Sequence, residues 1–174
     1  MSLYEFEGKR PQIADSAFVH PEAKLIGGVN IGEGCYIGPG AVLRGDWGHI
    51  NVSDGSNIQE NCIIHAAPDS VAEMGPESHI GHGAIIHGAK LGKHVMVGMG
   101  AILDEEVVIG DGCIIGAACF VPRGMILPTR KIVVGVPAKV AGDVTEEKED
   151  YAWWATRTYQ ELPARCHSGL RRID

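Results

Sequence analysis

The chain has 174 residues, 45% of them hydrophobic but only 6% aromatic, with 24 glycines and a formal net charge of −7. The length suits a single globular unit, the acidic balance argues against a nucleic-acid surface, and no apolar run approaches the ~18 residues of a membrane span. Five cysteines without a CxxC pair fit a reduced cytoplasm better than a disulfide framework, and the polar, acidic stretch Met1 to Glu7 does not read as a signal peptide.

Aliphatic residues recur at Val19, Leu25, Ile31, Ile37 and Leu43, each six after the last. The phase resumes at Val52, Ile58 and Ile64 after three extra residues, and at Ile80 and Ile86 after a polar segment. It then runs through Leu91, Val97, Leu103, Ile109, Ile115 and Val121. A period of six belongs to neither a helix nor an ordinary strand. It predicts an all-β solenoid in which three short strands make a triangular coil and coils stack about 4.8 Å apart. The aliphatic residue points inward. A small residue four positions later turns the corner, which assigns Cys35, Cys62, Cys113 and Cys119 to packing and leaves Cys166 outside the repeats.

The solenoid is expected over residues 1–140, ending near Lys131 to Lys139 where Pro137 stops pairing. A C-terminal unit, 141–174, follows. Thr145 reads as an N-cap with Glu146 and Glu147 behind it, opening a helix from Glu146 to Leu162. Tyr151, Trp154, Ala155, Tyr159 and Leu162 form one stripe, expected to lie on the prism wall within the chain or against a neighbour. Core packing is the expected role of Trp153 and Trp154. Pro163 is expected to stop the helix and Cys166 to Asp174 to be a loose tail. The acidic segment Ala66 to Ser78 is expected to loop out, either solvated or as a lid or proton relay.

Counting around the coils with these insertions stacks Leu43, Ile64 and Ile86 on one wall, so the outward residues Arg44, His65 and His87 form a column. Imidazoles on adjacent coils can present nitrogens roughly 3.4 Å apart, as two ligands of a tetrahedral metal require. On the preceding wall Ile58 lies under Ile80, which puts Gln59 and Glu60 under Gly81 and His82. His82 sits near a corner and points away from the column, toward a chain packed about a three-fold axis. A three-histidine site shared between subunits follows, with a position left open to water. His20, His49, His79, His94 and His167 fit no column and read as surface residues, with a supporting role as the alternative for His79, which stands beside the site.

Leu43-Arg44-Gly45-Asp46, Asn57-Ile58-Gln59-Glu60-Asn61, His65, Gly81-His82-Gly83 and His87-Gly88 resemble the gamma-class carbonic anhydrases. They are most similar to bacterial relatives of the ferripyochelin-binding-like, phenylacetate-degradation and carnitine-operon accessory groups. The resemblance runs from about Gly8 to Tyr159. It implies a left-handed parallel β-helix and a cytoplasmic homotrimer with Zn2+ (or Fe2+ or Co2+) at each interface on His65, His82 and His87. It further implies an intersubunit salt bridge of Arg44 with Asp46, a hydroxide on the metal oriented by Gln59, Asn57 near the CO2 pocket, and Tyr159 reaching the site from the helix. Glu60 stands where a catalytic carboxylate is expected.

Two departures point to slow hydration: Trp47 replaces the acidic residue that follows Arg-x-Asp in active members, and the acidic loop is short. The implied reaction is reversible hydration of CO2 to bicarbonate. The competing readings are metal-dependent thioester hydrolysis accessory to CoA-ester catabolism, a metal-free hexapeptide acyltransferase with a histidine base, and a non-catalytic trimeric scaffold.

Overall fold

A computed structural model describes residues 2–174 as a parallel β-solenoid, the left-handed hexapeptide type, followed by two helices. Three inward columns of seven residues each fill it. The first wall stacks Leu3, Leu25, Leu43, Ile64, Ile86, Leu103 and Val121. The second stacks Ile13, Ile31, Val52, Met74, Leu91, Ile109 and Leu127. The third stacks Val19, Ile37, Ile58, Ile80, Val97, Ile115 and Val133. Nearly all of these side chains are buried, and the six-residue count sets the register for the same reason: shifting one rung by a single residue would turn its aliphatic side chain into water.

The small corner residues are buried as expected, including Cys35, Cys62, Cys113 and Cys119. Cys62 Sγ donates to the Gly81 carbonyl at 3.2 Å and Cys35 Sγ to that of Ser53 at 3.2 Å. Burial pushes both thiols up to about 11, so they stay protonated and take no part in nucleophilic chemistry.

Two irregularities shape the first wall. Strands Lys24–Ile31 and Val42–Val52 run unbroken around a corner, with a bulge between Gly27 and Val29. There the backbones touch: a Cβ on Gly45 would lie 2.9 Å from the carbonyl carbon of Gly28. Only glycine permits that approach, and Arg44 and Asp46 on either side of Gly45, two apart on one strand, project to the same face. The second is the 66–78 segment, which corrects the expected loop. Residues 67–70 form the only excursion in it, while Val71–Met74 returns as a strand of the second wall with Ala72 and Met74 buried. Alternation at a period of two, not the acidic composition, governs this stretch.

Strand Lys131–Val134 is capped by an antiparallel strand, Lys139–Asp143, which spans the expected boundary at residue 140. Helix α1 (Glu146–Gln160) starts at Thr145, whose Oγ1 accepts from the Lys148 N–H. It lies along the edge where the second wall meets the third. Glu149 pairs with Arg130 at 2.6 Å, Trp153 stacks on His94 with ring centroids 3.6 Å apart, and Gln160 Nε2 donates to the Gly55 carbonyl at 3.0 Å.

The helix therefore straps several coils together, with a face that shares Ala155 and Tyr159 with the expected stripe and differs from it elsewhere. Ala152, Ala155 and Thr156 are buried, while Tyr151 and Trp154 are 61% and 63% exposed. Small residues let the helix axis approach the wall more closely than an aromatic stripe would. His94 is accordingly covered rather than superficial. Pro163 does not end the helical region: it occupies the first turn of α2 (Leu162–Gly169), a position where its missing N–H costs nothing. The expected tail is thus helical as far as Gly169, and His167 packs edge-on against Phe18. Replacing Trp153 by Ala should cost about 2 kcal/mol through loss of the His94 stack, read as a lower thermal midpoint with the solenoid's circular dichroism retained.

Candidate functional site

Register pairs Arg44 with His65 and His65 with His87, so the column is three consecutive outward positions on the first wall. Arg44 Nη1 donates to Asp46 Oδ2 at 2.6 Å within one chain, where the resemblance had implied a bridge between subunits. Burial raises the Asp46 carboxyl, but the hydrogen bonds from Arg44 and from the Trp47 N–H outweigh it and hold the group below its usual range. Asp46 Oδ1 lies 3.2 Å from His65 Nε2. On the other ring, His87 Nδ1 lies 3.3 Å from Glu105 Oε1, and Arg123 in turn contacts Oε2 of the same carboxylate at 3.2 Å. The remaining nitrogens, His65 Nδ1 and His87 Nε2, face each other at 3.0 Å.

This donor set fits a divalent cation. When both rings are neutral and protonated toward their carboxylates, two lone pairs confront one another, and no hydrogen bond joins two acceptors. A shared proton is disfavoured because burial, and then the Arg44 charge, lower the basicity of His65. The 3.0 Å separation is slightly under the roughly 3.4 Å spanned by two nitrogens on a tetrahedral metal, and a carboxylate behind each ligand is the usual support for metal-binding histidines.

His82 repeats the pattern across the corner. Its Nδ1 hydrogen-bonds Glu60 Oε2, and its Nε2 lies 3.4 Å from the Tyr159 hydroxyl. Glu60 Oε1 accepts from Tyr36 at 3.3 Å. His82 does not join His65 and His87: among the described residues of one chain, no three His, Cys, Asp or Glu side chains are disposed to hold a metal. Gln59 and Asn57 are buried, and Gln59 Nε2 donates to Asn57 Oδ1 at 3.0 Å while its Oε1 accepts from the His82 N–H at 3.2 Å. His79, read either as a surface residue or as a support to the site, contacts both carboxamides; Tyr36 and Glu105 are the members of the site that sequence reasoning missed. The same register that stacks Ile58 under Ile80 stacks Asn57 under His79, so that signal was present.

Beside the column, the first wall carries an outward hydrophobic ladder of Val42, Ile63, Ile85, Ile102 and Phe120. Ile63 and Ile102 remain exposed. From His82, Tyr159 and Gln59 a groove of about 390 Å³ runs under α1 past Met96, Met99 and Ile114.

A family model for the bacterial transferase hexapeptide (six repeats) matches residues 10–45 and 88–123. Over all 174 residues the chain is 43% identical to the carnitine operon protein CaiE of Escherichia coli (strain K12), covering 89% of that protein. The chain belongs to this hexapeptide-repeat family. The CaiE of Salmonella agona (strain SL483) is likewise 43% identical over 170 residues, 98% of this chain and 86% of its own. Among solved structures, a hexapeptide transferase family protein of Anaplasma phagocytophilum superposes with a TM-score of 0.89 at 34% identity, covering 97% of this chain and 98% of that one. A candidate acetyltransferase of Bacillus cereus gives 0.92 at 31% identity over 96% and 97%. The GDP-perosamine N-acetyl transferase of Caulobacter crescentus, solved with CoA and GDP-perosamine, gives 0.51 at 28% identity over 76% and 57%. The two blocks matched by the hexapeptide model leave out residues 46–87, the stretch that holds both irregular insertions and Asp46, Asn57, Gln59, Glu60, His65, His82 and His87.

No helix among the described residues is long and apolar enough to cross a membrane.

Proposed function

We propose that the protein is a carbonic anhydrase of the gamma type, interconverting CO2 and bicarbonate at sites completed between the subunits of a homotrimer. The observation that carries this is the pair of open imidazole nitrogens, His65 Nδ1 and His87 Nε2, facing each other at 3.0 Å with a carboxylate behind each ring. His65 and His87 of one copy, with His82 of the next, would hold a divalent metal; Zn2+ suits the donor set and Fe2+ or Co2+ would also fit three imidazoles. When bound, such an ion supplies Lewis acidity that brings the pKa of water from 15.7 to about 7.

The chain's own residues do the rest. Asp46, held by Arg44, and Glu105, held by Arg123, fix the ring orientations of His65 and His87. Gln59 has both amide hydrogens engaged, so it offers only its carbonyl oxygen to a hydroxyl at the site. Glu60, between His82 and Tyr36, is a half-exposed carboxylate through which the proton released on hydration reaches solvent. The exposed hydrophobic ladder beside the histidine column supports burial of this face against another copy. Trp47, at 64% exposure, adds no carboxylate there, consistent with a slow proton-transfer step.

Protein reconstituted with Zn2+ or Fe2+ should accelerate CO2 hydration in a stopped-flow pH-indicator assay. His82→Ala should lower kcat/KM by at least about a hundredfold, the scale of a lost essential group. Hydration by the variant at the wild-type rate would overturn the assignment.

The groove under α1 and the likeness to acetyltransferase structures favour a second reading, acyl-group chemistry at the same histidines, by thioester hydrolysis or by transfer. Cleavage or transfer of acyl-CoA that outpaces CO2 hydration in one preparation, above all by metal-free protein in the case of transfer, would replace the first reading with this one.

A further inference from the structure

We propose that His79 is a positioning residue that locks the carboxamide of Gln59 in a single orientation, with Oε1 toward His82 and Nε2 turned away from the candidate site. The ring stands on the outer face of the third wall, between Asn57 and Met96 in register, with the edge of Tyr159 against it at 5.2 Å and 90°. Its Nε2 lies 2.8 Å from Gln59 Nε2 and its Nδ1 lies 3.3 Å from Asn57 Nδ2. A neutral imidazole has one acceptor nitrogen, and the shorter contact takes it, which places the ring proton on Nδ1 and leaves the Asn57 Nδ2 approach a contact without a hydrogen bond. Burial, with the charges of His82 and His94 behind it, depresses His79 to about 4, so the acceptor is present at neutral pH.

Every hydrogen bond of Gln59 then agrees on one orientation. One amide hydrogen goes to Asn57 Oδ1, the other to His79 Nε2, and Oε1 receives the His82 N–H. The flipped amide would set its oxygen against two acceptors and its NH2 against the His82 N–H, reversing all three contacts. Of the three partners, His79 is the one to which neither the resemblance nor the proposed function gives a role. The effect on catalysis rests on the carbonic anhydrase reading; the clamp itself does not.

Side-chain amide exchange of Gln59, followed by NMR in wild type, His79→Phe and His79→Gln, tests the clamp directly. Phenylalanine keeps a ring against Tyr159 but has no acceptor, whereas glutamine restores one. In His79→Phe the Gln59 NH2 exchange should quicken about tenfold, and kcat of metal-loaded enzyme should fall about tenfold with KM and metal content unchanged, the scale of one lost hydrogen bond. His79→Gln should bring both back to within about threefold of wild type. Unchanged exchange in His79→Phe, or a glutamine variant as impaired as the phenylalanine one, overturns the proposal. If His79→Phe does not fold, His79→Leu supplies the same comparison. A wild-type protein that hydrates no CO2 yet shows the predicted exchange pattern removes the enzymatic reading and leaves the clamp standing.

Discussion

Co-refolding His82→Ala subunits with His65→Ala subunits should restore metal that neither variant binds alone, at roughly a quarter of the wild-type content per chain for random assembly of a ring of like interfaces. His65 and His87 occupy one wall and His82 the far side of a corner, and the three do not converge within a chain. If each centre draws two rings from one copy and the third from its neighbour, a centre is intact whenever a copy carrying His65 faces one carrying His82. Each variant alone breaks every centre; in the mixture, one junction in about four has both halves. Elemental analysis of the reassembled trimer gives the metal count, and native mass spectrometry the subunit composition. A site built entirely within one chain predicts no recovery on mixing, and a chain that never assembles predicts none either. CO2 hydration should return in proportion to the metal, which separates a centre that is merely occupied from one that is competent.

What was legible beforehand was governed by the six-residue count. Inward aliphatic residues are constrained at every rung, so insertions of three and four residues displaced the count without obscuring it, and the stacking of Leu43, Ile64 and Ile86 follows from arithmetic. The outward residues adjoining those positions inherit the register, which is why the Arg44, His65 and His87 column and the placement of Gln59 and Glu60 beneath Gly81 and His82 could be read. The contacts of His79 with Asn57 and Gln59 were not read, because the count was extended to residues following the inward position and not to those preceding it.

The helical region was less legible because its burial depends on the shape of the wall it meets. Of the expected stripe Ala155 and Tyr159 meet the wall, Tyr151 and Trp154 stay exposed, and Ala152 and Thr156 join the contact while Trp153 reaches sideways to His94. Pro163 carries two opposite meanings, a stop within a helix and a start at its first turn, and only the break at Glu161 between the two helices decides between them. The segment Val71–Met74 was masked by the acidic residues around it, although its alternation already placed Ala72 and Met74 inward.

Acidification from pH 6.5 to pH 4 should remove about 3 kcal/mol of stability at His79 alone. Burial is the first cause of its lowered basicity, and the charges of His82 and His94 add to it, giving a folded-state value of about 4 against 6.5 in the unfolded chain. Tyr159, whose ring edge faces the imidazole, and the carboxamides of Asn57 and Gln59 provide no countercharge. Above pH 6.5 neither state is protonated and the full contribution is present. As pH falls through 6.5 the unfolded chain takes up a proton that the folded chain refuses until about pH 4, so the unfolded state binds more protons throughout that window and folding weakens. Below pH 4 both states are protonated and the loss levels off. Urea titrations of metal-free protein at pH 7.5, 5.5 and 4.5 and equal subunit concentration would measure this. His94 is also depressed, first by burial, and contributes a slope of the same sign, so the informative quantity is the difference between wild type and His79→Gln. The stability of wild type minus that of His79→Gln should fall steadily from pH 6.5 to 4, because glutamine keeps an acceptor for Gln59 and has no proton to gain. Parallel slopes for the two proteins would mean that the imidazole is solvated or already charged at neutral pH, and then its nitrogen could not be what holds the Gln59 amide.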